Sequence, residues 1–131
     1  MAQHQIDPEA RPYDPAKLPR KRDVDGPTFF SVDMRAGVVV AVEAFPEARR
    51  PAWKIEVDFG PVVGRLQSSA QITNYSPEEL LGRTVVGAIN LGERRIAGFR
   101  SQFLVLGALD ADGTVRLLEL PDGVEPGSVI A

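Results

Sequence analysis

The segment Trp53-Lys54-Ile55-Glu56-Val57-Asp58-Phe59 constrains the fold most, because it alternates strictly between apolar and charged residues. Successive side chains of a strand point to opposite faces, so this pattern requires a strand with one face buried and one in water. Upstream, Asp33-Met34-Arg35-Ala36-Gly37-Val38-Val39-Val40-Ala41-Val42-Glu43 is rich in β-branched residues and reads as a long strand. Gly37 permits a bulge or sharp coil within it. A polar, proline-bounded loop, Phe45 to Ala52, joins the two strands. Gly60-Pro61 then turns the chain, and Val62 to Leu66 is expected to return as a third strand.

Ser76-Pro77-Glu78-Glu79-Leu80-Leu81-Gly82 carries a helix signal. Ser76 is the cap, Pro77 suits the first helical position, Glu79 completes a capping box and Gly82 ends the turn. Thr84 to Asn90 reads as a fourth strand and Phe103 to Gly107 as a fifth, followed by an Asp112-Gly113 turn and a hairpin strand over Val115 to Glu119. Three strands, a short helix and two more strands is the order of the OB-fold, an all-β, five-stranded, partly open barrel that serves as an oligonucleotide platform. An SH3-like barrel or a small sandwich also fits the pattern; the helix between strands three and four favours the OB-fold.

With 131 residues there is room for one domain. Residues 1–28 carry five prolines, balanced charge and few large apolar side chains, so they are expected to be a mobile or docked extension. The cluster Arg20-Lys21-Arg22 reads as a solvated charge run. The folded domain, with its C-terminal hairpin, is expected over residues 29–131. No apolar run is long enough for a transmembrane helix, and the first residues hold no signal-peptide core, so a cytoplasmic protein without a membrane partner is expected. Cysteine is absent and His4 is the sole histidine. That removes disulfides, Cys/His zinc sites, iron–sulfur clusters and Cys–His or Ser–His catalysis. No acidic cluster suggests a carboxylate-bound metal, and no spacing rule picks out a hydrolytic carboxylate pair. No cofactor, metal or catalytic residue is expected, and the chain is read as a binding protein.

The net charge is −3, against the basic balance of a generic polyanion binder. The charges are unevenly placed, however. Nine basic and eight acidic residues lie between Phe29 and Arg100, against one and five from Ser101 onward.

Several separated motifs carry a family resemblance. Asp33-Met34-Arg35-Ala36-Gly37 resembles the opening of the tRNA-binding OB domain, which occurs free-standing and appended to some aminoacyl-tRNA synthetases, including the C-terminus of the methionyl enzyme. Phe45-Pro46-Glu47-Ala48-Arg49 resembles that family's first inter-strand loop. Gln67-Ser68-Ser69-Ala70-Gln71-Ile72, Arg94-Arg95-Ile96-Ala97-Gly98-Phe99 and Phe103-Leu104-Val105-Leu106-Gly107 are similar to the CsaA export-related chaperones. The resemblance implies a homodimer whose terminal segments cross the two-fold interface. It implies tRNA or other structured RNA as a partner and, for CsaA, unfolded or exported polypeptides. Asn90 is followed here by Leu91-Gly92-Glu93, where synthetase-type relatives continue with a lysine and proline, and Ala97 precedes Gly98 in place of a basic residue. Gly92-Glu93 also replaces a proline pair common in CsaA.

RNA recognition needs cations for phosphates and hydrogen-bonding or planar groups for exposed bases. Arg49, Arg50 and Lys54 lie in or beside the first inter-strand loop, and Arg94, Arg95 and Arg100 in the connection between strands four and five. These are the two OB-fold loops that frame ligands, and their convergence would set six cations around one mouth. Alternatively Glu47, Glu56 and Glu93 pair with them as ordinary surface charge. Gln67, Ser68, Ser69 and Asn74 are candidates to read a ribose or base edge, or equally to satisfy local backbone. Phe59 belongs to the core, while Phe45 and Phe99 in polar loops are expected to be exposed to a base or a peptide. Phe29, Phe30, Val129 and Ile130 are expected in the core or in a dimer interface. Three readings follow: an RNA-binding dimer, a peptide-binding chaperone, and a subunit that docks on a synthetase.

Overall fold

The computed structural model describes residues 12–131, so His4 lies outside the described residues. The alternating segment forms strand β2 (Trp53–Asp58), with Ile55 and Val57 buried and Lys54, Glu56 and Asp58 on the opposite, half-exposed face. β1 (Met34–Ala44) is long enough to serve two neighbours. Its first half pairs with β4 (Thr84–Ala88) and its second half with β2. β3 (Arg65–Ala70) extends the sheet beyond β2, and β7 (Leu104–Val105) extends it beyond β4, giving the antiparallel order β3-β2-β1-β4-β7. Helix α3 (Pro77–Leu80) sits between β3 and β4 with the expected capping box: Ser76 Oγ accepts from Glu79 N at 3.2 Å and Glu79 Oε1 accepts from Ser76 N at 2.9 Å. The architecture is the all-β OB-fold expected from the element order. Helix α1 (Gly26–Phe30) precedes β1 and is capped by Asp25.

Three local expectations are corrected. The third strand begins at Arg65, because Gly60–Val63 forms a helical turn, α2. Pro61 offers no ladder N–H and is pre-set for a first helical position; Gly64 N closes the turn on Gly60 O at 2.8 Å. The fifth strand stops at Val105, and Gly107 opens a separate hairpin of β8 (Gly107–Leu109) and β9 (Val115–Leu117). The chain leaves the barrel there: Leu106 N still reaches Val86 O, whereas Gly107 packs on the backbone of Arg116. The bulge of β1 lies between Val39 and Ala41, where the register to β2 shifts, and not at Gly37.

Gly37 serves close approach instead. A Cβ there would lie 2.5 Å from Val57 Cγ1 and 2.7 Å from Phe59 Cδ1, and one at Gly87 would lie 2.7 Å from Phe59 Cζ. Phe59 is fully buried, stacked edge-on against Phe103 at 5.0 Å, with Val39, Ile55, Val57, Ile72 and Leu80 around it. Trp53 is half-buried at the end of the core, its Nε1 donating to Tyr75 O at 2.9 Å.

The barrel closes where β3 meets residues 101–103. Gln102 N donates to Gln67 O at 2.8 Å, Ser69 N to Ser101 Oγ at 3.1 Å, and the buried Ser68 Oγ to Phe103 O at 2.7 Å. The tail completes the free edge of β1: Ala36 N donates to Ser128 O and Ile130 N to Met34 O, both at 2.9 Å. Arg35, oriented by Asp33, donates to Gly127 O at 3.2 Å, which gives the Asp33-Met34-Arg35 motif a structural role. Phe29, Phe30 and Val129 are 46%, 67% and 71% exposed, so of the two places expected for them the core is excluded. Among the described residues no helix is long and apolar enough to cross a membrane.

Gly37→Ala and Gly87→Ala push a methyl group into Phe59, and each is expected to destabilise the fold by about 1–3 kcal/mol. Phe59→Ala is expected to cost about 3–5 kcal/mol. Urea unfolding of the three variants checks both figures.

Candidate nucleic-acid interface

The connection expected as an open loop between the fourth and fifth barrel strands is a two-stranded ribbon, β5 (Arg94–Ile96) and β6 (Phe99–Ser101). Ala97 and Gly98 form its turn, with φ of 48° and 81°. Positive φ at both central residues matches the right-handed twist of the flanking strands. In this ribbon Arg94 lies opposite Ser101, Arg95 opposite Arg100 and Ile96 opposite Phe99. Directly opposed residues share a face, so the three arginines divide: Arg94 on one side, Arg95 and Arg100 on the other.

The Arg94 side borders a groove of about 430 Å³. Ser68 to Ile72 of β3 and its continuation form one wall; Leu91, Gly92, Arg94 and Ile96 form the other. Ser101, Phe103 and Val105 lie between them, and Arg50 reaches in from the β1–β2 loop. Among the described residues Arg49 and Arg94 carry no side-chain hydrogen bond or ion pair, so both guanidiniums are available to an anion.

On the other side, Glu93 holds Arg100 in a forked pair, with Nε to Oε2 at 2.9 Å and Nη2 to Oε1 at 2.7 Å. Gln102 Nε2 adds a hydrogen bond to Oε2 at 3.4 Å. The Arg100 hydrogen bonds hold the Glu93 carboxyl below the usual carboxylate range, with Arg95 adding a weaker pull, and the same pair raises Arg100. Gln67 braces both strands, its Nε2 donating to Arg100 O at 3.0 Å and its N to Gln102 Oε1 at 3.1 Å.

Lys54 lies between the two regions, its ammonium 4.8 Å from the Phe45 ring centroid and 5.3 Å from that of Phe99. The rings meet edge-on at 5.5 Å. This contact ties the β1–β2 loop to the ribbon, since a cation over two ring faces is attracted to both. It also buries Phe45 to 5% exposure, which corrects the expectation that Phe45 is exposed; Phe99 is half-buried. Ser69 sits opposite Lys54 across the β2–β3 ladder. Asn74 stands apart from the groove wall, its Nδ2 donating to Val115 O at 3.0 Å.

The structure thus brings Arg50, Arg94 and Ser69 to one groove and Arg95 and Arg100 to the outer side of the ribbon, while Gln67 holds the Arg100 backbone. Of the acidic residues weighed as ordinary partners, Glu93 takes Arg100, while Glu56 pairs with Arg65 at 3.6 Å. Leu91, Ile96, Ser101 and Gln102 were not singled out from sequence. Their signal was the two-residue Ala97-Gly98 turn set between the apolar Ile96 and Phe99, which marks a hairpin. Among the described residues no group of three His, Cys, Asp or Glu is placed to hold a metal.

The comparisons with known proteins agree with this architecture. Residues 34–129 match the model of the putative tRNA binding domain. The CsaA chaperone of Picrophilus torridus is 43% identical, with a TM-score of 0.78 over 83% of this chain and 100% of that one. Chaperone CsaA from Bacillus anthracis is 39% identical, with a TM-score of 0.75 over 84% and 100%. The methionine–tRNA ligase of Porphyromonas gingivalis is 34% identical over 86% of this chain; this chain spans 16% of the ligase. The chain belongs to the tRNA-binding domain family, and within it to the CsaA type.

The Glu93 carboxyl provides a direct check on the ribbon. Its folded-state pKa is lowered, so the pair is intact above the ordinary carboxylate range and is lost as pH falls through the depressed value. An NMR titration is expected to place the Glu93 midpoint below that of an ordinary exposed glutamate, and Arg100→Gln to move it back up.

Proposed function

We propose that this protein is a non-enzymatic, homodimeric module that binds structured RNA of the tRNA type, with residues 29–131 as the binding domain and residues 1–28 as an extension of it. The observation that carries the reading is the pair of guanidiniums without a side-chain partner among the described residues, Arg94 on the ribbon at the groove wall and Arg49 on the β1–β2 loop. Arginine holds a phosphate with two parallel donors and stacks on an exposed base, so one residue type serves both parts of an unpaired nucleotide. Ser69 and the outer strand face supply short polar groups beside it. The tRNA-binding family match supports the ligand class.

The exposed Phe29, Phe30 and Val129 support the dimer. α1 and the tail flank the start of β1, where Asn90 ties Ser31 O and Asp33 N to the end of β4 and Ile130 pairs with Met34. Burying these side chains against a second copy removes the apolar surface that the monomer leaves in water. Phe30→Asp is expected to shift the protein toward monomer in sedimentation equilibrium at micromolar concentration, with the far-UV spectrum unchanged.

Titration with tRNA at low salt tests the ligand directly. Binding is expected to weaken linearly on a log–log plot against salt. Replacing Arg94 and Arg95 by Ala is expected to lower affinity and flatten that slope by about 0.7–0.9 for each phosphate no longer neutralised. Absent binding, or binding indifferent to salt, overturns the reading.

A second reading rests on the aliphatic lining of the groove, where Leu91, Ile96 and Val105 offer a dry surface to an apolar side chain. It matches the chaperones among the solved relatives. Peptide binding that survives added salt and is lost in Leu91→Asp would support it over RNA.

A further inference from the structure

The outer face of the ribbon presents an electrostatic problem. Arg95 and Arg100 are direct cross-strand partners, an arrangement that repels. The carboxylate of Glu93 relieves it, taking two donors from Arg100 and a third from Gln102. The backbone that carries these donors is held in place. Arg100 belongs to β6, its carbonyl is held by Gln67, and Gln102 is locked to Gln67 through both backbone and side chain where the barrel closes. Glu93 stands on less constrained backbone. It lies outside any strand, in the segment that leaves β4, and follows Gly92, whose φ of 84° permits backbone conformations closed to other residues. The pair is also exposed, with the two side chains 53% and 44% accessible, so water and competing anions reach it.

Fixed donors with a planar fork, a neighbouring amide donor, a second guanidinium opposite and a hinged carboxylate filling the position describe an anion site occupied from within. We propose that Arg100 and Gln102 form a phosphodiester-binding slot that Glu93 occupies as a built-in counterion, and that RNA binds there by exchanging a backbone phosphate for the Glu93 carboxylate. A phosphodiester offers the same pair of acceptor oxygens as the carboxylate, and guanidinium forks accept either. An exposed ion pair is weak enough for such exchange to be reversible, since pairs of this kind contribute little net stability. Glu93 therefore sets a threshold: a ligand must bring a phosphate in the correct register to replace the hydrogen bonds it displaces. The inference rests on the RNA reading above.

The experiment is a tRNA titration across a salt series with four full-length proteins: the wild type, Glu93→Gln, Arg100→Gln and the double variant. Thermal unfolding of each verifies that all four are folded. Glu93→Gln is expected to tighten tRNA binding by about two- to fivefold at low salt, the factor matching the removal of one exposed competing pair. The double variant is expected to bind like Arg100→Gln alone, because the gain requires the guanidinium that Glu93 covers. If Glu93→Gln tightens binding equally in both backgrounds, the effect is net charge and the exchange is overturned. Salt-dependent wild-type binding with an unchanged Glu93→Gln overturns the exchange and leaves the RNA reading standing. Absence of salt-dependent binding in all four overturns both.

Discussion

The rest of the barrel depends on how closely Phe59 approaches Gly37 and Gly87. These glycines lie on β1 and β4, and the ring rests where their side chains would be. A strongly coiled five-stranded barrel has a narrow interior, and one aromatic ring fills much of its cross-section when two facing positions carry no Cβ. Phe103 then meets Phe59 edge-on. Phe103 also fixes the chain immediately after the ribbon, because its carbonyl accepts from the buried Ser68. Core packing and site geometry are therefore joined through one residue.

That junction explains why the ribbon can present charged groups in a defined arrangement. A free loop would average its arginines over many rotamers and backbone states, and ordering them on binding would cost entropy. Here Ser101 and Gln102 are bonded to β3, and the Lys54–Phe45–Phe99 contact braces the opposite end against the β1–β2 loop. The six cations expected around one mouth are consequently divided among four settings. Arg50 and Arg94 face the groove, Arg95 and Arg100 face outward, Lys54 lies over two rings, and Arg49 has no side-chain hydrogen bond or ion pair among the described residues.

What was legible in the sequence followed the strength of local rules. The strict alternation of Trp53 to Phe59 and the Ser76-Glu79 capping box fixed β2 and α3 to within a residue, because each encodes its geometry in adjacent positions. Val62 to Leu66 misled because its apolar residues fit a strand, while Pro61 and Gly64 favoured a single helical turn and left Val62 in water. Phe45 misled because its neighbours are polar; its burial comes from Phe99 and Lys54, more than eight residues away and on other elements. The arginines were visible as residue types, but their division between two faces depends on ribbon register, and register follows from a turn whose first residue, Ala97, is an unusual choice for positive φ. Pairwise neutralisation, as between Glu93 and Arg100, is likewise invisible until the fold places its partners.

A chain of net charge −3 that sets Arg50 and Arg94 at one groove distributes its charge unevenly. Several basic side chains elsewhere are matched: Arg116 with Asp110 at 2.9 Å, Arg83 with Glu119 at 3.4 Å, and Arg35 with Asp33 at 2.6 Å. Such pairs add little stability in water, but they remove long-range positive field. At physiological ionic strength an isolated cation acts over a screening length of about 8 Å. On the RNA reading proposed above, a polyanion gains most where its phosphates reach these local sites, the groove and the outer face of the ribbon. Basic proteins bind nucleic acid first through their total field and sort sequences or shapes afterwards. On the RNA reading, the charge arrangement here reverses that order, placing selection by shape and register ahead of attraction.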